Sequence, residues 1–291
     1  MLKRLPFLCA ALLALAACSH DSGSSGPAQP TPSATATTPA AAASAAPAST
    51  MTAATPAAAG SSAPASDSSA NAAAGAPAVA AAPFVDDGKW VEGKDYYRIE
   101  PAQPKWTSTD KIEVVEAFSY GCPACNAYHA TMNQLVKELP QNAVATFLPA
   151  SFMPQENWVT LQRAYLTAEA LGVANKANDA MYDAVWTTRE LSSLNPSGTG
   201  LKPRDALPTI ADVAKVYAKF GADPKEFVAV SQSFAINTKM KRADELMKAY
   251  GVEGTPTLII DGKYRVDPLK LGMPQSIELT KWLVSKEAAG K

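Results

Sequence analysis

The sequence predicts an α/β domain interrupted by a block of helices, and three observations predict it. Residues 111–120 (KIEVVEAFSY) are rich in β-branched and aromatic side chains, break at Gly121, and lead into a segment with helical apolar spacing. Residues 158–250 then carry helix after helix. Strand character returns only at 257–266, around the Asp261-Gly262 turn signal. The order strand, helix, strand, helical block, hairpin, helix is that of an α/β layout with a helical insertion.

The elements follow in order. Residues 1–17 read as an export signal: Lys3 and Arg4 give a positive start, and 5–15 form an apolar run. That run is far short of the ~20 residues that span a bilayer. It ends Leu15-Ala16-Ala17-Cys18, which resembles the lipobox of bacterial lipoproteins. The resemblance implies acylation of Cys18 and stable anchoring through several chains. The alternative is an ordinary signal peptide with Cys18 incidental. Ser19 stands where an Asp would favour the inner membrane, so the outer membrane is favoured. Of the 65 residues 19–83, 58 are Ala, Pro, Ser, Thr or Gly. Such a stretch has no large side chains to bury and cannot offset its ordering entropy. Residues 18–83 therefore read as a disordered spacer on a lipid anchor, with a root-mean-square span on the order of 45 Å.

Aromatic, aliphatic and charged residues return together at 84–291, enough for one domain. After the strand at 111–120, a helix is expected over 126–139 and a second strand over 143–148. Helices are expected at 158–171 and 178–191 as a hairpin, and at 210–220. Another, opened by Asp223 and Pro224, runs to about 250 with a break near Asn237. The helical insertion thus covers about 155–250. Residues 192–208, with three prolines and two glycines, read as a surface loop. A last amphipathic helix is expected over 274–286.

Composition excludes several functions. With 26 basic and 27 acidic residues the chain is close to neutral, and no basic stripe recommends nucleic acid. Cysteines occur only at 9, 18, 122 and 125. The globular part offers two cysteines and one histidine, short of the four ligands of a structural zinc site, so no metal is expected.

The pair Cys122-Pro123-Ala124-Cys125 sits at a strand-to-helix junction. Unpaired N–H groups at a helix start stabilise a thiolate, and a cysteine three residues on shares the helix face. Pro123 suits the first turn because it has no N–H to leave unpaired. Cys122 reads as the exposed nucleophile and Cys125 as the inner thiol that resolves mixed disulfides, the two forming a Cys122–Cys125 disulfide when oxidised. Glu116 lies in the middle of an apolar strand; it is either a proton carrier for Cys125 or an edge-strand residue facing solvent. Thr255-Pro256 precedes an apolar strand, which suggests a special turn, and a cis bond there would leave the Thr255 backbone free to pair with an extended peptide. His129 reads as a surface or packing residue. Trp158, Tyr165, Tyr182 and Trp186 read as packing of the helical block, with a substrate groove as the alternative.

Residues 116–125 (EAFSYGCPAC), 170–173 (ALGV) and 251–264 (GVEGTPTLIIDGKY) resemble DsbA-type periplasmic disulfide oxidoreductases, and the resemblance runs over roughly 95–283. It implies a thioredoxin fold with an inserted helical domain, a catalytic dithiol at Cys122 and Cys125, an acidic proton relay at Glu116, and a cis proline at Pro256 preceded by Thr255. It also implies exported proteins, unfolded or reduced, as clients, a DsbB-like membrane quinone-linked oxidase as partner, and no cofactor. Two positions depart from the strongly oxidising members: Ala124 stands where many have histidine, and Thr255 where many have valine. Both bear on how oxidising the protein is. A reductase or isomerase is the second reading, against which stands a spacer in place of a dimerisation domain, so that a monomer is expected. The third is a tethered binding or chaperone lipoprotein, against which stand Glu116 and Pro256.

Overall fold

The computed structural model describes residues 83–291. The expected signal at 1–17, the lipidation site Cys18 and the 18–83 segment, apart from Pro83, lie outside the described residues. Among the described residues no helix is long and apolar enough to cross a membrane.

The sheet has the order β1-β5-β4-β2-β3. Its inner strand β2, Ile112–Phe118, is the apolar run read from sequence, buried along almost its whole length. It pairs in parallel with β3, Ala143–Pro149, and antiparallel with β4, Thr257–Ile260. The parallel pair needs a crossover, which α1, Pro123–Glu138, supplies. β4 turns back into β5, Tyr264–Val266, through Asp261 and Gly262, both at positive φ (52° and 67°). The Lys263 N–H donates to the Ile260 carbonyl at 2.9 Å and closes the turn, and with Ile260 paired to Tyr264 three residues separate the strands. A two-residue strand β1, Tyr97–Arg98, covers the β5 edge.

Between β3 and β4 lie α2 (Trp158–Ala170), α3 (Ala174–Trp186), α4 (Ile210–Ala218), α5 (Pro224–Ser231) and α6 (Phe234–Ala249). Then α7 (Pro268–Leu271) and α8 (Met273–Ala288) close the chain. The period of two along β2 divides the core. Val114 joins Tyr128, Met132 and Leu135 of α1 and Ile277 and Leu283 of α8. Val115 and Ala117 join the cluster built by the insertion.

Several boundaries differ from expectation, each for a local reason. The redox helix begins at Pro123 rather than 126, because Cys122 itself is its N-cap. α3 spans 174–186 rather than 178–191. Gly172, at φ 69°, turns the chain out of α2 within three residues, and Arg189, at φ 62°, stands beyond its end. The break expected near Asn237 falls at Gln232-Ser233, where the Ser233 side chain caps α6 by accepting from the Ile236 N–H. β1 and α7 carry too few residues for a periodicity and were not expected from the sequence.

Candidate functional site

β2 delivers the chain to a turn, Ser119–Cys122, closed by the Cys122 N–H donating to the Ser119 carbonyl at 3.0 Å. Cys122 then caps α1 with extended backbone (φ −87°, ψ 119°), and its sulfur accepts the Cys125 N–H at 3.4 Å. A side-chain oxygen usually fills this position; here sulfur does. Pro123 occupies the first helical turn, exposed, and Ala124 is half-buried beside it. Cys122 is 5% exposed and Cys125 fully buried; both are free thiols.

The Thr255–Pro256 bond is cis. Its loop reaches the nucleophile, because the Cys122 thiol donates to the Thr255 carbonyl at 3.3 Å. The Thr255 hydroxyl is buried and has no hydrogen-bond partner among the described residues.

These contacts split the two thiols. The Cys122 pKa is lowered to about 6, chiefly by a hydrogen bond from the Cys125 thiol. Burial opposes the shift, and the Thr255 hydroxyl and the N–H groups of Cys125 and Ala124 add to it. No basic side chain contributes. Burial pushes Cys125 well up, helped by its bond to Cys122 and by the charge of Glu116.

Glu116 is not an edge-strand residue facing solvent: β2 is an inner strand and the residue is 1% exposed. Its cross-strand neighbours are Phe147 and Leu258, both apolar. Among the described residues no group donates to its buried Oε1. Burial, and secondarily the charge on Cys122, raise its pKa to about 8. At neutral pH it therefore holds a proton, close enough to the inner thiol that its charge, when it ionises, pushes the Cys125 thiol up. The structure thus brings Glu116, Cys122, Cys125 and Thr255 together.

The other candidates serve packing. His129 hydrogen-bonds Asp179 at 2.7 Å and lies on Tyr182, ring centroids 4.2 Å apart. Tyr165 and Tyr182 belong to the buried cluster around Phe118 and Tyr120. Two contacts were illegible in the sequence: the Trp186 indole donates to the Tyr120 carbonyl at 2.8 Å, and Trp158 lies against Gly121. Among the described residues no cluster of three or more His, Cys, Asp or Glu side chains could hold a metal ion.

Comparison with known proteins agrees with this geometry. The family described as Thioredoxin matches residues 108–275. The thiol:disulfide interchange protein DsbA of Pseudomonas aeruginosa is 32% identical over 201 residues, covering 69% of this chain and 87% of that protein. DsbA of Pseudomonas syringae is 31% identical, covering 75% and 96%. The crystal structure of P. aeruginosa DsbA superposes with a TM-score of 0.59 at 32% identity, covering 70% of this chain and 97% of that one. The oxidoreductase DsbA of Xylella fastidiosa gives 0.59 at 28%, covering 68% and 98%.

Two outcomes are expected. Alkylation of the reduced protein at pH 6 labels Cys122 ahead of Cys125; the reverse order by peptide mapping would exchange their roles. The second concerns pH. Folded Glu116 keeps its proton up to about pH 8, whereas in the unfolded chain it ionises near its ordinary value of 4.5. Through Glu116 the unfolded state binds fewer protons, so this group's contribution to stability falls as pH rises between those values, by at most about 1.4 kcal/mol per unit, while the lowered Cys122 thiol works in the opposite sense in both proteins above about pH 6. Glu116→Gln removes the fall. Urea titrations of both reduced proteins from pH 4 to 9 should diverge across that window, and parallel curves would refute the burial argument.

Proposed function

The chain belongs to the thioredoxin-fold disulfide oxidoreductases of the DsbA kind, and from that premise we propose that it introduces disulfide bonds into exported proteins through its Cys122-Pro123-Ala124-Cys125 site. The observation that carries the reading is the opposed shift of the two thiols. A disulfide exchanger oxidises when its reduced form is stabilised, and the Cys122 thiolate is stabilised chiefly by the Cys125 thiol, with the Thr255 hydroxyl and the helix start that it caps adding to it.

The exchange runs as follows. A client thiolate attacks Cys122 Sγ of the Cys122–Cys125 disulfide, forming a mixed disulfide and expelling Cys125 as a thiolate. That sulfur is buried and its thiolate disfavoured, so it takes up a proton, for which Glu116 is the donor. A second client thiolate attacks the client sulfur of the mixed disulfide, closes the client's own bond and releases Cys122 as the stabilised thiolate. Two electrons now reside on the protein. A DsbB-like quinone-linked membrane oxidase removes them and restores the disulfide. The client lies extended along the Thr255 backbone, beside the Thr255–Pro256 bond.

The same reading places the protein in the periplasm, with Cys18 carrying the lipid and the 18–83 segment joining it to the 84–291 domain. The outer membrane is the favoured anchorage because Ser19 follows the acylated residue. Ala124 contributes no charge to the thiolate, which makes the oxidising power moderate rather than extreme.

Acid-quenched thiol trapping of the protein in its cells should find the pair mostly oxidised. A mostly reduced pair would mark a reductase or isomerase instead. Cys18→Ala should release the protein from membranes; retention after a salt and carbonate wash would sink the lipid anchor while leaving the redox assignment standing.

A further inference from the structure

We propose that Trp186, the last residue of α3, is a positioning residue for the Cys122 thiolate, acting through the carbonyl of Tyr120. This rests on the reading of Cys122 as the nucleophile.

The argument begins at Gly121. A Cβ there would come within 2.7 Å of the Trp158 indole, so the position admits no side chain. Glycine is also the softest backbone unit available, and it immediately precedes a residue whose torsions must hold sulfur against the N–H groups that open α1. The turn's own bonds run from the Cys122 and Gly121 N–H groups to Ser119 and leave the Tyr120 carbonyl unheld; the insertion supplies its partner. Trp186 Nε1–H donates to the Tyr120 carbonyl at 2.8 Å and fixes the Tyr120–Gly121 peptide plane. On the far side of that plane the Gly121 N–H donates to Ser119 Oγ at 3.1 Å. The Tyr120 side chain is fixed as well: its hydroxyl donates to Asn178 Oδ1 at 2.8 Å, and its ring meets Tyr182 edge-on, centroids 5.0 Å apart.

Asn178, Tyr182 and Trp186 all lie on α3. One helix of the insertion therefore grips the residue two places before the nucleophile by side chain and by main chain. If the Trp186 bond is lost, the peptide can rotate about glycine, and the sulfur drifts from the donors that lower its pKa. The thiolate is then less favoured, and with it the reduced state.

Trp186→Phe keeps an aromatic ring and removes the donor. Thiolate titration by ultraviolet absorbance and equilibration with glutathione, alongside urea unfolding, form the test. The Cys122 alkylation rate at pH 6 and the equilibrium constant for oxidising glutathione should both fall by roughly threefold to tenfold, the range that one neutral hydrogen bond supplies. Tyr120→Phe, which loses only the bond to Asn178, should shift both in the same direction by less. A lowered stability with unchanged thiolate titration and unchanged equilibrium constant would make Trp186 a packing residue and overturn the proposal. Should Trp186→Phe fail to fold, site-specific replacement of Trp186 by 3-benzothienylalanine, which keeps the bicyclic shape and lacks the N–H, decides, and an unmoved titration there overturns the proposal. Mapping the label separates the two failures: alkylation moving to Cys125 refutes the nucleophile assignment, and an unchanged rate at Cys122 refutes only the role of Trp186.

Discussion

A sulfur atom stands at the N-cap of α1, where an oxygen would ordinarily satisfy the helix's free N–H groups, and the rest of the site follows from that substitution. Those N–H groups are the cheapest source of positive potential in a fold that brings no cation to its nucleophile. Sulfur accepts weakly while it carries a proton and strongly once it loses it. The cap thus becomes a redox-dependent contact, better made in the reduced protein than in the disulfide. Local helix geometry and reduction potential are then one quantity viewed from two sides.

β2 carries two buried glutamates with opposite duties. Glu113 accepts from the Trp106 N–H, the Thr107 N–H and the Thr107 hydroxyl, at 2.7, 2.8 and 2.5 Å, and so staples the preceding segment to the sheet. Glu116, three residues on, lies between Phe147 and Leu258 with no donor to its Oε1. The difference is one of supply: a carboxyl with three donors staples structure, and one whose Oε1 meets no donor among the described residues is left holding its proton.

Much of this was legible in the sequence because it depends on near neighbours. The strand, the glycine break, the cysteine pair and the Asp261-Gly262 turn all declare themselves within a few residues. The orientation of Glu116 did not, because a strand buried on both faces has no alternation to read, so periodicity left solvent and interior equally open. Apolar spacing alone starts the redox helix at 126, because Pro123, Ala124 and Cys125 carry no helical periodicity; the chemistry of the cysteine pair is what places its first turn at Pro123. Trp186 was assigned to packing, which its burial supports, but its bond to Tyr120 spans 66 residues of chain and leaves no local trace.

The bond between Cys122 and the Thr255 carbonyl joins residues 133 apart in the chain. A chain synthesised from its N-terminus therefore presents its cysteine pair long before the loop that completes the site. Until the whole insertion has emerged and β4 has docked beside β2, the pair lacks the Thr255 hydroxyl and carbonyl, and Glu116 lacks one of the walls that keep it dry. Nascent Cys122 is an ordinary thiol, itself open to oxidation by others of its kind. The insertion thus sets an order of assembly: a disulfide oxidoreductase of this layout acquires the last parts of its site only once its own folding is nearly done.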